Sequence, residues 1–306
     1  MLEELLMQVP NTEIVDLVVH GPPGSAPPVL ADALLAALAE AHSDERPYRL
    51  VPRGNDPGID AMHLLLTRPG DDAILSTCTP VFLQAPMLRG MTLTHRALTP
   101  LARLVSDHFF LVVRTDSAWK TANDFVETLP QRKTRTGGYF LGGINHLLAL
   151  SIAEATGAEM EFIITPTEPA VWDALIAGEI DWGVGVGAEL RPHLEAGTIR
   201  VIAALDVDRR QPFPDVPTLW ELGVPVRFTM WRGLMGPPLL SEAQQAVWHA
   251  RIEAMTRTQA WQEYLTRNGQ VSAFLPGPAF SDFLKTEWTW YEKHLTMAGL
   301  LGTKSS

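Results

Sequence analysis

Cysteine is almost missing from this chain: Cys78 is the single one in 306 residues. One thiol builds neither an intramolecular disulfide nor a cysteine-based zinc site. Without a local base signature, Cys78 reads as a small buried residue, not a nucleophile. Basic side chains are outnumbered, 24 Lys and Arg against 35 Asp and Glu, for a net charge of −11. That balance offers no basic stripe to neutralise nucleic-acid phosphates or an anionic membrane. A small anion held by backbone amides stays compatible with it. No apolar run approaches the roughly 20 residues of a membrane helix. No serine sits in a Gly-x-Ser-x-Gly elbow. The nine histidines show no His-Glu-x-x-His or other close ligand spacing, so neither a metal nor a cofactor is expected. Met1-Leu2-Glu3-Glu4 lacks the basic flank of a signal peptide, so either export is absent, or a signal was removed or not included.

What is present is a soluble globular composition, 46% hydrophobic and 19% charged, in a chain long enough for two domains or one large one. It is organised around Val15 to Glu40. Val15, Leu17, Val18 and Val19 suit a buried parallel strand. Gly21 to Pro28 holds four prolines and two glycines, which predicts a loop. Val29 to Glu40, rich in Ala and Leu, predicts a helix. A glycine turn between a strand's end and a helix's start is where α/β proteins bind ligands, because free N–H groups point outward there.

The same grammar repeats. Tyr48–Val51 and Ala73–Thr77 read as strands, with a helix from Ile59 to Leu66 between them that Asp56 caps and Pro57 opens. Later come a strand at Phe109–Val113, a helix at Thr121–Leu129 capped by Thr121, and a helix from about Asn145 to Thr156 stopped by Gly157. Further strands are expected at Met160–Ile164, Ile180–Val186 and Thr198–Leu205, with a helix from Val171 closed by Gly178. Helices from Ser241, Gln259 and Phe280 end the chain, the last anchored by Trp288, Trp290 and Tyr291. Such alternation implies parallel sheets with right-handed crossovers.

Four turns fit a backbone anion site: Gly21 to Pro28, Asn55 to Gly58, Ser76 to Pro80 (with Ser76, Thr77 and Thr79), and Gly142 to His146. Two pairs, one per domain, would face each other across a cleft and close on a small ligand. His146 lies in the first turn of a helix after a diglycine, where a cap-side hydrogen bond is the simpler role. Gly183-Val184-Gly185-Val186-Gly187-Ala188 matches the dinucleotide fingerprint, with Asp206 downstream, and makes a dinucleotide-dependent enzyme the alternative. Against it, Pro192 leaves only a short helix, and glycines where a strand enters a cleft give the same pattern.

Several stretches resemble the Bug-type solute-binding proteins of tripartite tricarboxylate transporters, over roughly Val15 to Leu301. They are Val18-Val19-His20-Gly21-Pro22-Pro23-Gly24, Ala155-Thr156-Gly157, and Asp173 to Asp181. The most specific are Phe213-Pro214-Asp215-Val216-Pro217-Thr218 with Leu219 to Pro225, and Trp231-Arg232-Gly233-Leu234. The resemblance implies an α/β, two-lobe, periplasmic-binding-protein-like (type II) fold, each lobe a mostly parallel sheet flanked by helices, with the ligand cleft between. Lobe 1 is expected from 1–113 plus 227–306 and lobe 2 from 114–226. It also implies non-catalytic carboxylate binding by Pro23, Gly24, Ser25 and Ala26 and by Gly142, Gly143, Ile144, Asn145 and His146. Phe82 and Trp231 would cover the ligand's apolar part, and Arg232 could add a charge-assisted bond.

The implied partners are a small organic acid and the membrane subunits of such a transporter, the protein itself being a monomer. The implied compartment is the periplasm, with a cytoplasmic location left open by the missing signal. A signal-less soluble sensor is a further alternative. The sequence departs from the family in four places. Ala26-Pro27-Pro28 replaces a third glycine with Thr and Asp, and Gly143-Ile144-Asn145 replaces a serine run. Ile164-Thr165-Pro166-Thr167 stands for Pro-Tyr-Lys-Gly, and Gly185 stands where an acidic residue is frequent.

Overall fold

The computed structural model describes residues 14–21, 26–42, 46–56, 58–268 and 270–301. In chain order they form β1 (Val15–His20), α1 (Ala26–Ala41), β2 (Tyr48–Arg53), α2 (Ile59–Leu66), β3 (Ile74–Cys78), α3 (Val81–Leu88) and β4 (Thr99–Arg114). Next come α4 (Ala122–Thr128), β5 (Thr134–Gly138), α5 (Ile144–Thr156), β6 (Met160–Ile164), α6 (Ala170–Ala177), β7 (Gly183–Val186), α7 (Gly187–Glu195) and β8 (Ile199–Ala204). The chain ends with β9 (Thr229–Gly236), α8 (Glu242–Met255), α9 (Gln259–Asn268), β10 (Val271–Pro276) and α10 (Gly277–Met297). Contacts divide the molecule into two compact units. Unit 1 is the chain up to Val105 with Trp231–Thr289; unit 2 is Ser106–Met230 with the residues from Trp290 on. The chain therefore passes between units inside β4, β9 and α10.

In unit 1 the strand order is β10-β4-β9-β3-β1-β2. All six residues of β1 are buried, as an apolar strand with parallel neighbours on both sides requires. The one charge in β1, Asp16, is held by Arg49 at 2.7 Å and by Arg68 at 3.0 Å. β9 adds an antiparallel neighbour to β3, pairing Ser76 with Met235 and Cys78 with Gly233. Leu17, Leu30, Leu34 and Leu75 pack with Trp248, Ile252 and Trp261 into one core, so α1 and α8 share a filling with the sheet. The first helix begins earlier than the sequence predicts, at Ala26 instead of Val29. Pro27 and Pro28 fall in its first turn, where an N–H has no intrahelical acceptor and proline's φ already fits.

In unit 2 the second half of β4 pairs antiparallel with β7 and with β8, with a register shift between Leu111 and Val112. β5 and β6 form a separate parallel pair, Thr134 with Met160 through Gly138 with Ile164. β5 runs through Thr134-Arg135-Thr136 into the diglycine Gly137-Gly138. A Cβ on Gly138 would lie 2.8 Å from both Asn145 and Phe162, so glycine is what lets the strand approach α5. Thr121 caps α4 in a capping box with Asp124, and Gly157 and Gly178 stop their helices at φ 71° and 75°. In α10, Trp288 packs on His95 in unit 1, while Trp290 and Tyr291 meet Phe228 in unit 2.

Candidate functional site

Pro23, Gly24 and Ser25 lie outside the described residues, and Ala26 is described only as the start of α1. The rest of the unit 1 cluster is built where β1 and β3 end side by side. His20 Nδ1 lies 2.9 Å from Thr77 Oγ1 and its Nε2 lies 3.0 Å from Thr79 Oγ1. Ser76 donates its hydroxyl to the Thr77 carbonyl at 2.8 Å. Phe82 meets the His20 ring edge-on at 5.2 Å. Burial above all lowers the His20 pKa to about 4, with the Arg232 charge adding to it, so the imidazole is neutral at physiological pH. Parallel pairing of β1 with β3 brings His20, Thr77 and Thr79 together. His20, at the last position of an apolar strand, is the member with no local signal of a site role.

Other expected members are elsewhere. Asp56 is not the cap of α2, a place held by Gly58. Its carboxylate pairs with Arg89, which holds its pKa below the ordinary range, and its N–H donates to Asp60. Asn55 lines a cavity of about 420 Å³ with Arg53, Asp60 and His63. Phe82 and Trp231 are both fully buried, so neither offers a face to a ligand in this structure. Trp231 instead donates its indole N–H to Glu287 at 3.0 Å and packs on Phe280. Cys78 is buried, and burial pushes its thiol well above its ordinary pKa, which suits a packing role.

In unit 2 the turn before α5 is intact. The Gly142 N–H donates to His146 Nδ1 at 3.0 Å, the cap-side bond expected of this histidine. Accepting at Nδ1 puts the neutral ring's proton on Nε2, and burial lowers the ring's pKa. Gly143 is the N-cap of α5 and gives it no side-chain hydrogen bond. The amides of Ile144 and Asn145 follow in the first turn, where a helix has no acceptor for them. The Asn145 side chain donates to the Val184 carbonyl at 2.9 Å, tying this turn to β7 and the neighbourhood of Gly185.

Gly185 itself is explained by packing: a Cβ there would stand 2.4 Å from the Trp172 ring. Asp206, the candidate ribose partner of a dinucleotide, is nearly buried and held by His108 at 2.7 Å and Arg210 at 2.8 Å. Burial pushes its carboxyl up, but hydrogen bonds from His108, Arg210 and the Val207 amide outweigh that and hold it well below the usual range. Gly183 to Ala188 therefore has a steric reason for its central glycine, Gly185, and an acidic residue already engaged. A second cavity, of about 590 Å³, is lined by Arg114, Arg132 and Arg135 with Asp116, Asp124 and Asp181. Arg114 pairs with Asp116, and both Arg132 and Arg135 with Asp181, so its charges answer one another. Among the described residues no group of His, Cys, Asp or Glu could hold a metal ion. None of their helices is long and apolar enough to cross a membrane.

Residues 59–276 match the family described as Tripartite tricarboxylate transporter family receptor. Protein BugT of Bordetella pertussis (strain Tohama I) is 34% identical over 99 residues, 32% of this chain and 30% of that protein. The chain thus spans less than a third of that relative's length. Among solved structures, a TctC solute binding protein from Polaromonas superposes with a TM-score of 0.81 at 22% identity, over 94% of this chain and 99% of its own. An R. palustris protein solved with adipate gives 0.74 at 22% identity, over 94% of this chain and 98% of its own. At these identities the likeness is one of fold.

Proposed function

This chain belongs to the tripartite tricarboxylate transporter family of receptors, and from that premise we propose that it binds a small organic acid reversibly and releases it chemically unchanged. The observation that carries the reading is the family match over residues 59–276, joined to a ligand-ready turn at the start of α5. The amides of Ile144 and Asn145, at the positive end of that helix, take the carboxylate. Such a helix end contributes on the order of 0.3–1 kcal/mol when exposed, so several amides must converge to hold an acid firmly. The glycine loop after β1 supplies the remainder, and its Pro23, Gly24 and Ser25 are assigned here by resemblance alone. His20, Thr77 and Thr79 brace the strand ends from which that loop leaves. The adipate held by the R. palustris neighbour supports an acid as the class of ligand.

The finer parts of the proposal are a closing motion of the two units on the acid, delivery to the membrane subunits of a tripartite tricarboxylate transporter, and work in the periplasm as a monomer. No reaction is assigned. Isothermal titration against mono-, di- and tricarboxylates, after unfolding and refolding to strip co-purified ligand, tests the reading. Micromolar binding of at least one acid, with compaction in small-angle scattering, is expected. A flat response across the whole panel would remove the proposal.

A further inference from the structure

The turn that carries the proposed carboxylate site lies in an unusual neighbourhood. From Thr136 to Leu190 the sequence contains no Lys or Arg, while Glu154, Glu159, Glu161, Glu168, Asp173, Glu179, Asp181 and Glu189 all fall within it. His146, inside the turn, is held neutral by burial. The turn therefore offers main-chain dipoles and no cationic side chain of its own. A second negative charge on a ligand finds no cation within this stretch, and the cations that reach its acids from outside, Lys293, Lys133, Arg132 and Arg135, are already engaged by Glu154, Glu161 and Asp181.

The surface beside those amides is apolar instead. Tyr139, Phe140, Leu141 and Ile164 are 52%, 48%, 46% and 57% exposed, large side chains that a folded protein leaves in water at some expense. They lie together: Tyr139 to Leu141 follow the end of β5, and Ile164 ends β6 opposite Gly138. Tyr139 meets Phe140 edge-on at 5.7 Å. Carboxyl ends of parallel strands are where α/β sheets place their ligands.

Phe140 is the residue that joins the two features. Its carbonyl accepts the Gly143 N–H at 3.2 Å, and its ring Cζ lies 3.1 Å from where a Cβ on Gly143 would stand. The ring, together with the Phe140 carbonyl oxygen at the same 3.1 Å, crowds the space next to the helix cap in which a serine, with its hydroxyl donor, would have to fit. One aromatic side chain at once removes a polar contact from the site and supplies an apolar one.

We infer that Phe140 sets the ligand class: the site selects acids with one carboxylate and an apolar body, aryl or alkyl, over hydroxylated di- and tricarboxylates. The inference rests on the carboxylate reading above and specifies it. The carboxylate sits on the α5 amides, and the body lies along Phe140 with Tyr139, Leu141 and Ile164 as its surround.

Titrations with phenylacetate, hexanoate, malate, citrate and acetate, on the full chain and two variants, test it. Phenylacetate and hexanoate are expected to bind at least tenfold more tightly than malate or citrate. Phe140→Ala, at a half-exposed position, is expected to weaken phenylacetate roughly tenfold and acetate by much less. Phe140→Ala with Gly143→Ser, which restores a hydroxyl at the cap, is expected to move the preference toward malate. Malate or citrate binding as tightly as phenylacetate, or Phe140→Ala weakening every acid equally, would overturn the inference and leave the carboxylate reading standing. Failure of all five acids to bind, with the far-ultraviolet spectrum unchanged, would take down both.

Discussion

The strand ends of the two units solve the same problem in opposite ways. In unit 1, His20, Thr77 and Thr79 satisfy one another, and His20, Thr77 and Phe82 are buried. In unit 2, the turn from Tyr139 to Asn145 keeps its first helical amides without intrahelical acceptors and surrounds them with exposed aromatic and aliphatic side chains. The first is a finished piece of packing at the ends of β1 and β3. The second holds unused donors and dry surface, the two things a carboxylate with an organic body needs. A buried polar cluster near a strand end is thus a weaker sign of a binding site than an open one.

The contrast can be broken first at its steric supports. A Cβ on Gly233 would stand 2.4 Å from the Ala102 carbonyl oxygen, whereas the nearest atoms to one on Gly185 belong to side chains, the Trp172 ring at 2.4 Å and Glu189 Oε2 at 3.2 Å. Gly233→Ala is expected to destabilise the protein by about 3 kcal/mol, because backbone must move, and Gly185→Ala by less, since a ring can tilt. Urea denaturation midpoints of the two variants check the order.

Acid separates the units next. The unfolded chain protonates a histidine below about pH 6.5, but folded His20 takes its proton only near pH 4. Its contribution is therefore complete above pH 6.5 and fades as the pH falls toward 4, by roughly 3 kcal/mol. His20→Gln, which keeps hydrogen bonding but not titration, is expected to lessen the pH dependence of the urea midpoint across that window, with buried His95, whose pKa is also lowered to about 4, supplying part of what remains. In unit 2, Asp206 acts lower down: its carboxyl is held below the usual range, so its contribution is full above that range and lost only as the pH falls beneath it.

Smallest are the helix caps, and here the units should agree. Thr121 in unit 2 and Ser241 in unit 1 both form capping boxes, with Asp124 and Gln244. Thr121→Ala and Ser241→Ala are each expected to cost about 1 kcal/mol by thermal or urea denaturation.

These cases also mark what was legible in advance. Caps and stops such as Thr121, Gly157, Gly178 and Ser241 act within a few residues and were readable from the sequence. So was β1, whose run of Val and Leu fits only a buried strand. Features decided by distant partners were not. Nothing near Gly185 announces Trp172, and only that ring separates a packing glycine from a nucleotide fingerprint. Asp56 before Pro57 looks like a cap until Arg89 claims it. The first ten residues of β4 are half polar, and β10 is a short run ending in Pro276, so neither stood out as a strand. Of the site, the turn at Gly142 to His146 was visible from its glycines. Its partner Phe140 was not, because its meaning lies in the space above Gly143.

The central claim is that main-chain amides of the α5 first turn capture the acid, and Ile144→Pro tests it most directly. Gly143 already has φ −68° and ψ 165°, and Ile144 is the first helical residue, so proline fits the backbone there and deletes the N–H in question, exchanging a buried Ile side chain for the smaller ring. Titrated with the tightest acid of the panel, this variant is expected to bind at least tenfold more weakly while keeping its helix content. Unchanged affinity in a folded Ile144→Pro protein would contradict the account.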